Sequence, residues 1–174
     1  MATPLRGGEI IDINGMIAVG ADESAATNRR ITYSRTEEHR TAQAGRLVTI
    51  SDSNEVQLAG NGDDILGRLE SAESDGLLTV VIGAQVIYLP VRGPVTAGDR
   101  LVGTRGTSNT AGDYGYARPV EAIMGDIGSA PTQANFNDLL DMLREERNAR
   151  AIALESSTQA TGQTSDIRCI LRLG

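Results

Sequence analysis

Tryptophan and lysine are missing from this 174-residue chain, cysteine and histidine occur once each, and aromatic residues make up only 3%. Each absence removes a class of function. With a single cysteine, Cys169, no intrachain disulfide can form, which fits a reducing compartment or an assembly stabilised by other means. Without lysine the phosphate-binding loop G-x-x-x-x-G-K-[ST] cannot exist, and no G-x-G-x-x-G stands between a strand and a helix. All the basic residues are arginines, and 23 acidic residues against 16 basic ones leave a net charge of −7. Such a chain lacks the basic stripe that a phosphate backbone requires, so nucleic acid is not an expected partner. No apolar run approaches the roughly 20 residues needed to cross a bilayer, and the opening MATPLRGGEI lacks the basic-then-apolar order of a signal peptide. The expectation is a soluble chain made in the cytoplasm, without a membrane partner.

What the chain does contain is glycine, twenty residues of it, and a hydrophobic fraction of 40% drawn mostly from Val, Ile, Leu and Ala. From residue 45 the short runs GRLVTI, NEVQLA, ILGRLE, LLTVVIG and VIYLPV follow one another, separated by SDS, GNGDD, SAESDG and AQ. These separators are rich in residues that tolerate positive φ or bond their own backbone, so they read as turns between strands. LVGTRG and YARPVEAIM extend the series. In SDIRCILRL the alternation is cleanest: Ile167, Cys169, Leu171 and Leu173 face one way, Asp166, Arg168 and Arg172 the other, with Ile170 as the exception. Evenly spaced short strands predict a sandwich or barrel.

Two segments break this grammar. Near the start, EIIDINGMIAVG could form a strand or a hairpin on Asn14-Gly15, and ADESAATNRRITYSRTEEHRTAQAG reads as a solvated loop or extended arm. Near the end, NFNDLLDMLREERNARAIALE places Phe136, Leu140 and Leu143 at helical spacing with Leu139 beside them. Asn135 is the expected N-cap, Asp138 lies three residues on, and Glu146 and Arg150 stand i,i+4 in the favourable order. Pro131 marks a hinge before the helix, and SSTQATGQTS a flexible return after it. The chain therefore divides into an N-terminal arm over 1–44, a β-barrel core over 45–124, a helical insertion over 125–164 and a closing strand over 165–174. The expected class is mainly β: a small barrel or sandwich of short strands with an extended N-terminal segment and a helical insertion before the last strand. The apolar stripe of the helix packs either on its own barrel or between copies, and Arg147 interrupts it too soon for a long coiled coil.

Residues able to do chemistry are few. His39 lies in the polar run TEEHRT, without the nucleophile and carboxylate that a catalytic histidine needs, and no G-x-S-x-G occurs. Cys169 falls on the inward face of its strand, where a thiol behaves as a small hydrophobe. Asn61, Asp63 and Asp64 in GNGDD offer the hard oxygen ligands that calcium prefers, but the loop lacks calcium-loop spacing and a terminal Glu, so a turn is expected. Arg29, Arg30, Arg35 and Arg40 form either a mixed-charge solvated face with Glu37 and Glu38 or a docking patch for a protein.

The order of these elements resembles the capsid cement, or head decoration, proteins of tailed bacteriophages. The resemblance is carried by residues 45–49 (GRLVT), 65–67 (ILG), 78–82 (LTVVI), 95–101 (VTAGDRL), 116–122 (YARPVEA) and the closing strand at 167–173. It covers about 90 residues by strand count and rests on a pattern of strands and turns rather than a catalytic signature. It implies a small β-barrel on the outer capsid surface of the virion, bound to the major capsid protein, often as a homotrimer, with no catalytic residue, cofactor or metal. On that reading Arg29, Arg30, Arg35 and Arg40 are candidates for capsid docking, and Phe136, Leu139, Leu140 and Leu143 for oligomer or barrel packing. The competing readings are a trimeric tail- or fibre-associated module, and a small β-barrel enzyme or ligand-binding protein using Asp63, Asp64 and His39.

Overall fold

The computed structural model describes residues 15–82, 86–105, 113–120, 132–160 and 162–171. Among these residues the order is β1 (Met16–Gly20), β2 (Leu47–Ile50), β3 (Val56–Leu58), β4 (Gly67–Ala72), β5 (Leu77–Val81), β6 (Val86–Arg92), β7 (Arg100–Thr104), β8 (Tyr116–Pro119), α1 (Gln133–Asn148), β9 (Ala151–Ala153) and β10 (Thr164–Leu171). Among the described residues the protein is mainly β with one helix, as the turn-punctuated sequence predicts. The expected core over 45–124 is, however, two units. Strands β1-β5-β4-β2-β3 form an open sheet, and β10-β6-β8-β7-β9 form a closed barrel. Among the described residues the named strands pair antiparallel except β6 and β8, which meet in a parallel bridge between Val91 and Ala117, and a further isolated parallel bridge joins Ala21 to Val56.

The barrel interior is filled by side chains, as a five-stranded barrel requires. Leu89, Val91, Leu101, Ile167, Cys169 and Leu171 point inward, joined in the same core by the smaller Ala117, Ala151 and Ala153. Leu47, Ala59 and Ile65 enter the same core from the sheet and its loops. The sheet has its own core of Val19, Ile31, Val48, Val56, Leu58, Leu69, Leu78 and Val80, completed by Tyr114 from the barrel side. Strand β2 is thus buried on both faces. Where β4 and β5 meet, Gly67 leaves room for the neighbouring backbone: a Cβ there would lie 2.2 Å from the Val81 carbonyl oxygen.

Residues 15–44 are not an arm. β1 pairs with β5 from Met16↔Val81 to Gly20↔Leu77, and Ala25 and Ile31 are buried. The loop after β1 is held by its backbone, with Asp22 N–H donating to the Val56 carbonyl, Leu58 N–H to the Arg29 carbonyl and Ala72 N–H to the His39 carbonyl. Backbone bonds and a few apolar anchors replace the periodic stripe that would have betrayed this packing in the sequence. Residues 1–14, and with them the strand expected before Asn14-Gly15, lie outside the described residues.

The helix begins earlier than Asn135. Thr132 is the N-cap, and its hydroxyl accepts from Asn135 N–H at 3.3 Å while the Asn135 side chain accepts from Thr132 N–H at 3.1 Å, a reciprocal capping box. The helix ends at Asn148, so Glu146 and Arg150 do not pair: Glu146 takes Arg100, and Arg150 takes Asp64 at 2.9 Å. The following AIA is strand β9 rather than helix, and it closes the barrel by pairing with both β7 and β10. In β10, Ile167, Cys169 and Leu171 are buried and Arg168 is exposed, in agreement with the alternation. Leu173, Arg172, the hinge at Pro131 and the segment 121–124 lie outside the described residues.

Candidate functional site

The loop after β3, GNGDD, sits where sheet, barrel and helix meet. Gly62 N–H donates to the Gly103 carbonyl, Gly103 N–H donates to the Asp63 carbonyl, and Asn148 of α1 donates to the Gly62 carbonyl at 3.3 Å. The Asp63 carboxylate accepts from Gly60 N–H at 2.8 Å and pairs with Arg29. Burial pushes the Asp64 carboxyl above its ordinary range, and Arg150 opposes that shift. Both acids are committed to ion pairs that lock the loop. His39 lies exposed against the end of β4, so it is not gathered with them. Among the described residues no three His, Cys, Asp or Glu side chains are arranged to hold a metal ion. A cleft of about 420 Å³ beside the β1 and β5 ends is lined by Glu23, Glu55 and Asp75 and carries no basic side chain.

The four arginines of the candidate docking patch are not one surface. Arg29 donates to the Leu58 carbonyl at 2.9 Å besides pairing with Asp63, and Arg30 donates to the Ala25 carbonyl at 3.1 Å. Both hold the loop in place. Only Arg35 and Arg40 are exposed, and Arg40 donates to the Arg35 carbonyl at 3.0 Å. A second arginine pair, which sequence reasoning missed, joins the two cores. The guanidinium carbons of Arg46 and Arg92 lie 4.0 and 4.1 Å from the centroid of the buried Tyr116 ring, and Arg92 pairs with Asp113 at 3.2 Å. Nothing local in the sequence signals it, because its members come from three separate segments.

The apolar residues of α1 are more telling. Phe136, Leu140 and Leu143 are 52%, 46% and 49% exposed, so the stripe does not pack on its own barrel. Leu139, at its margin, is half-buried. Successive helical residues step by about 100°, which sets Phe136, Leu140, Leu143 and Arg147 on one side and Glu145 nearly opposite. The barrel side is polar: Glu145 pairs with Arg118, and Glu146 accepts from Arg100 through both its carboxylate and its backbone carbonyl. Arg118 also donates to Asn61 at 3.2 Å. The helix is therefore inverted, with charged groups turned toward its own fold and its apolar stripe toward solvent.

A second outward apolar surface crosses the barrel. In β6 the residues Ile87, Leu89 and Val91 face in, which turns Val86 and Tyr88 out, and these are 57% and 52% exposed. The register places Val86 opposite Ile170, and Ile170 opposite Ile152. Tyr88 stands opposite Arg168, whose carbonyl accepts from Leu154 N–H, and Leu154 is also exposed. Ile170, the one apolar exception on the polar face of its strand, is thus the middle of a band over β6, β10 and β9. On the next strand Ile152 is in register with Arg100, which holds the helix. No family model, curated protein or solved structure matches the chain.

Proposed function

We propose that this protein is a structural adhesion module: a capsid decoration protein that binds the outer surface of a tailed-phage head between capsomers and stabilises the shell. The observation that carries the reading is the apolar band of Val86, Ile170 and Ile152 on the outer wall of the barrel, with Tyr88 and Leu154 beside it. An outer barrel wall in water ordinarily carries polar residues at these positions, and contiguous exposed apolar side chains mark protein–protein contact. The resemblance of residues 45–122 and 167–173 to head decoration proteins supports a capsid, through its major capsid protein, as the target and a homotrimer as the unit that docks.

The mechanism is linkage. A protein that binds only the expanded lattice stabilises it by the free energy of binding, and many copies add up even when each contact is modest. No bond is made or broken, so the surfaces need shape and apolar area rather than perturbed catalytic groups. The test is decoration of purified, undecorated heads, followed by electron microscopy and by the mass of the free protein in sedimentation. Wild type is expected to decorate expanded heads. The double variant Val86→Asp with Tyr88→Asp should keep its fold, because both side chains are exposed, and should bind at least tenfold more weakly. Wild-type protein that never binds heads would overturn the proposal. Full occupancy by the double variant would remove the band as the docking face.

A further inference from the structure

The helix carries a separate message. Its seam of Phe136, Leu140, Leu143 and Arg147 recurs at four, three and four residues, the spacing with which two helices interlock. We infer that α1 is a self-association element, whose partner is the α1 of a second copy packed antiparallel across a two-fold axis.

Orientation follows from Arg147. In any parallel grouping, of two copies or three, Arg147 faces Arg147 of the neighbour and like charges meet. Antiparallel packing sets Arg147 over the neighbour's Phe136 instead, and Leu140 opposite Leu143, so each layer joins a different pair. A guanidinium over an aromatic ring is a favourable contact. Among the described residues Arg147 makes no ion pair that this arrangement would break.

The remaining charges agree. Asp138 and Asp141 lie on the N-terminal side of the midpoint of the Phe136–Arg147 seam, Arg144 and Arg147 on the C-terminal side. The acids of that C-terminal side, Glu145 and Glu146, are already neutralised by Arg118 and Arg100. An antiparallel pair therefore lays each acidic half along the other copy's basic half. The pair that Arg144 makes with Asp141 is about two-thirds exposed on both sides, and such pairs contribute little that an exchange would lose.

Area sets the strength. A helix of 16 residues is about 24 Å long, and one such pair buries less than the roughly 1,200 Å² of a standard stable interface. Free copies associate weakly, while copies held side by side meet at high effective concentration. The contact is distinct from any three-fold grouping of the barrels, and from binding to a capsid.

Two measurements decide it. Sedimentation over a concentration series should show mass rising with concentration, and Leu140→Asp should weaken that association at least tenfold while circular dichroism stays unchanged. Variants Phe136→Cys and Arg147→Cys, each made in a Cys169→Ala background so that it holds one thiol, differently tagged and mixed under oxidation, should form a disulfide between the two species and none within either. Those positions are about 16 Å apart along one helix, far beyond disulfide reach in a parallel pair. Disulfides within each species, or a mass that Leu140→Asp leaves unchanged at every concentration, would overturn the inference.

Discussion

Leu47 and Val48 are neighbours in β2 and belong to different cores: Leu47 closes the barrel, Val48 the open sheet, and both are fully buried. Because successive strand residues point to opposite faces, one strand with both faces covered joins two packing units rigidly. Leu47 N–H donates to the Gly115 carbonyl on the barrel side, and Ala59 N–H donates back to the Leu47 carbonyl. Sheet and barrel should therefore unfold in a single transition. Leu47→Ala is expected to cost about 2–5 kcal/mol, and to lower the denaturation midpoint of both units together. Two separated transitions, with only the barrel affected, would show that β2 does not couple them.

The two ion pairs that hold α1 should differ in strength. Arg118 and Glu145 are about 15% exposed, whereas Arg100 and Glu146 are about 40% exposed and correspondingly screened. A double-mutant cycle on Arg100 and Glu146 should give a coupling within about 0.2–1 kcal/mol, and one on Arg118 and Glu145 a larger value. Equal couplings in low and high salt would contradict the difference in burial.

Acid should expose the loop after β1. Burial raises the Asp22 carboxyl, but hydrogen bonds from Ser24, Ser51 and Ser53 outweigh it and hold its pKa at about 2, against an ordinary 3.8. A carboxyl whose folded pKa is depressed adds stability above its unfolded pKa, and loses it as pH falls through the folded value. The loss should run from about pH 4 to pH 2 and amount to on the order of 1–2 kcal/mol. Asp22→Asn should be less stable near neutrality and lack that part of the acid slope.

Much of the architecture is legible in the residues. The alternation of Ile167, Cys169 and Leu171 identifies a half-buried strand, and the glycine-rich separators locate most of the others to within a few residues. Pairing is another matter, since alternation says which face is buried and not against what. That is why a sheet and a barrel look like one barrel from sequence. β9 was hidden because three residues, two of them alanine, continue the composition of the helix before them. The arginines at 29 and 30 read as a surface patch because Asp63, the partner of Arg29, lies in another loop. The apolar stripe of α1 was plain in sequence, but its outward direction depends on Arg100 and Arg118, which lie in β7 and β8.

Cys169 should resist thiol reagents in the folded protein. Burial in the barrel core, aided by the Glu155 charge, pushes its pKa up to about 12, and alkylation requires the thiolate. Reaction at neutral pH should be at least a hundredfold slower than in denaturant. The raised value also means that the unfolded chain ionises first, so this group withdraws stability as pH climbs from about 9 toward 12. Cys169→Ala should flatten that alkaline decline.

The excursion that carries α1 straddles one residue. Leu101 of β7 is in register with Pro119, where the chain leaves the barrel, and with Ala151, where it returns. The two ends are thus held on either side of a single strand, about 10 Å apart at ordinary strand spacing. Among the described residues the strand pairings that close the barrel run up to those two attachment points, and none of them involves α1. That makes residues 121–149 a natural grafting position, where a foreign peptide or small domain with closely spaced ends could be displayed on the same barrel.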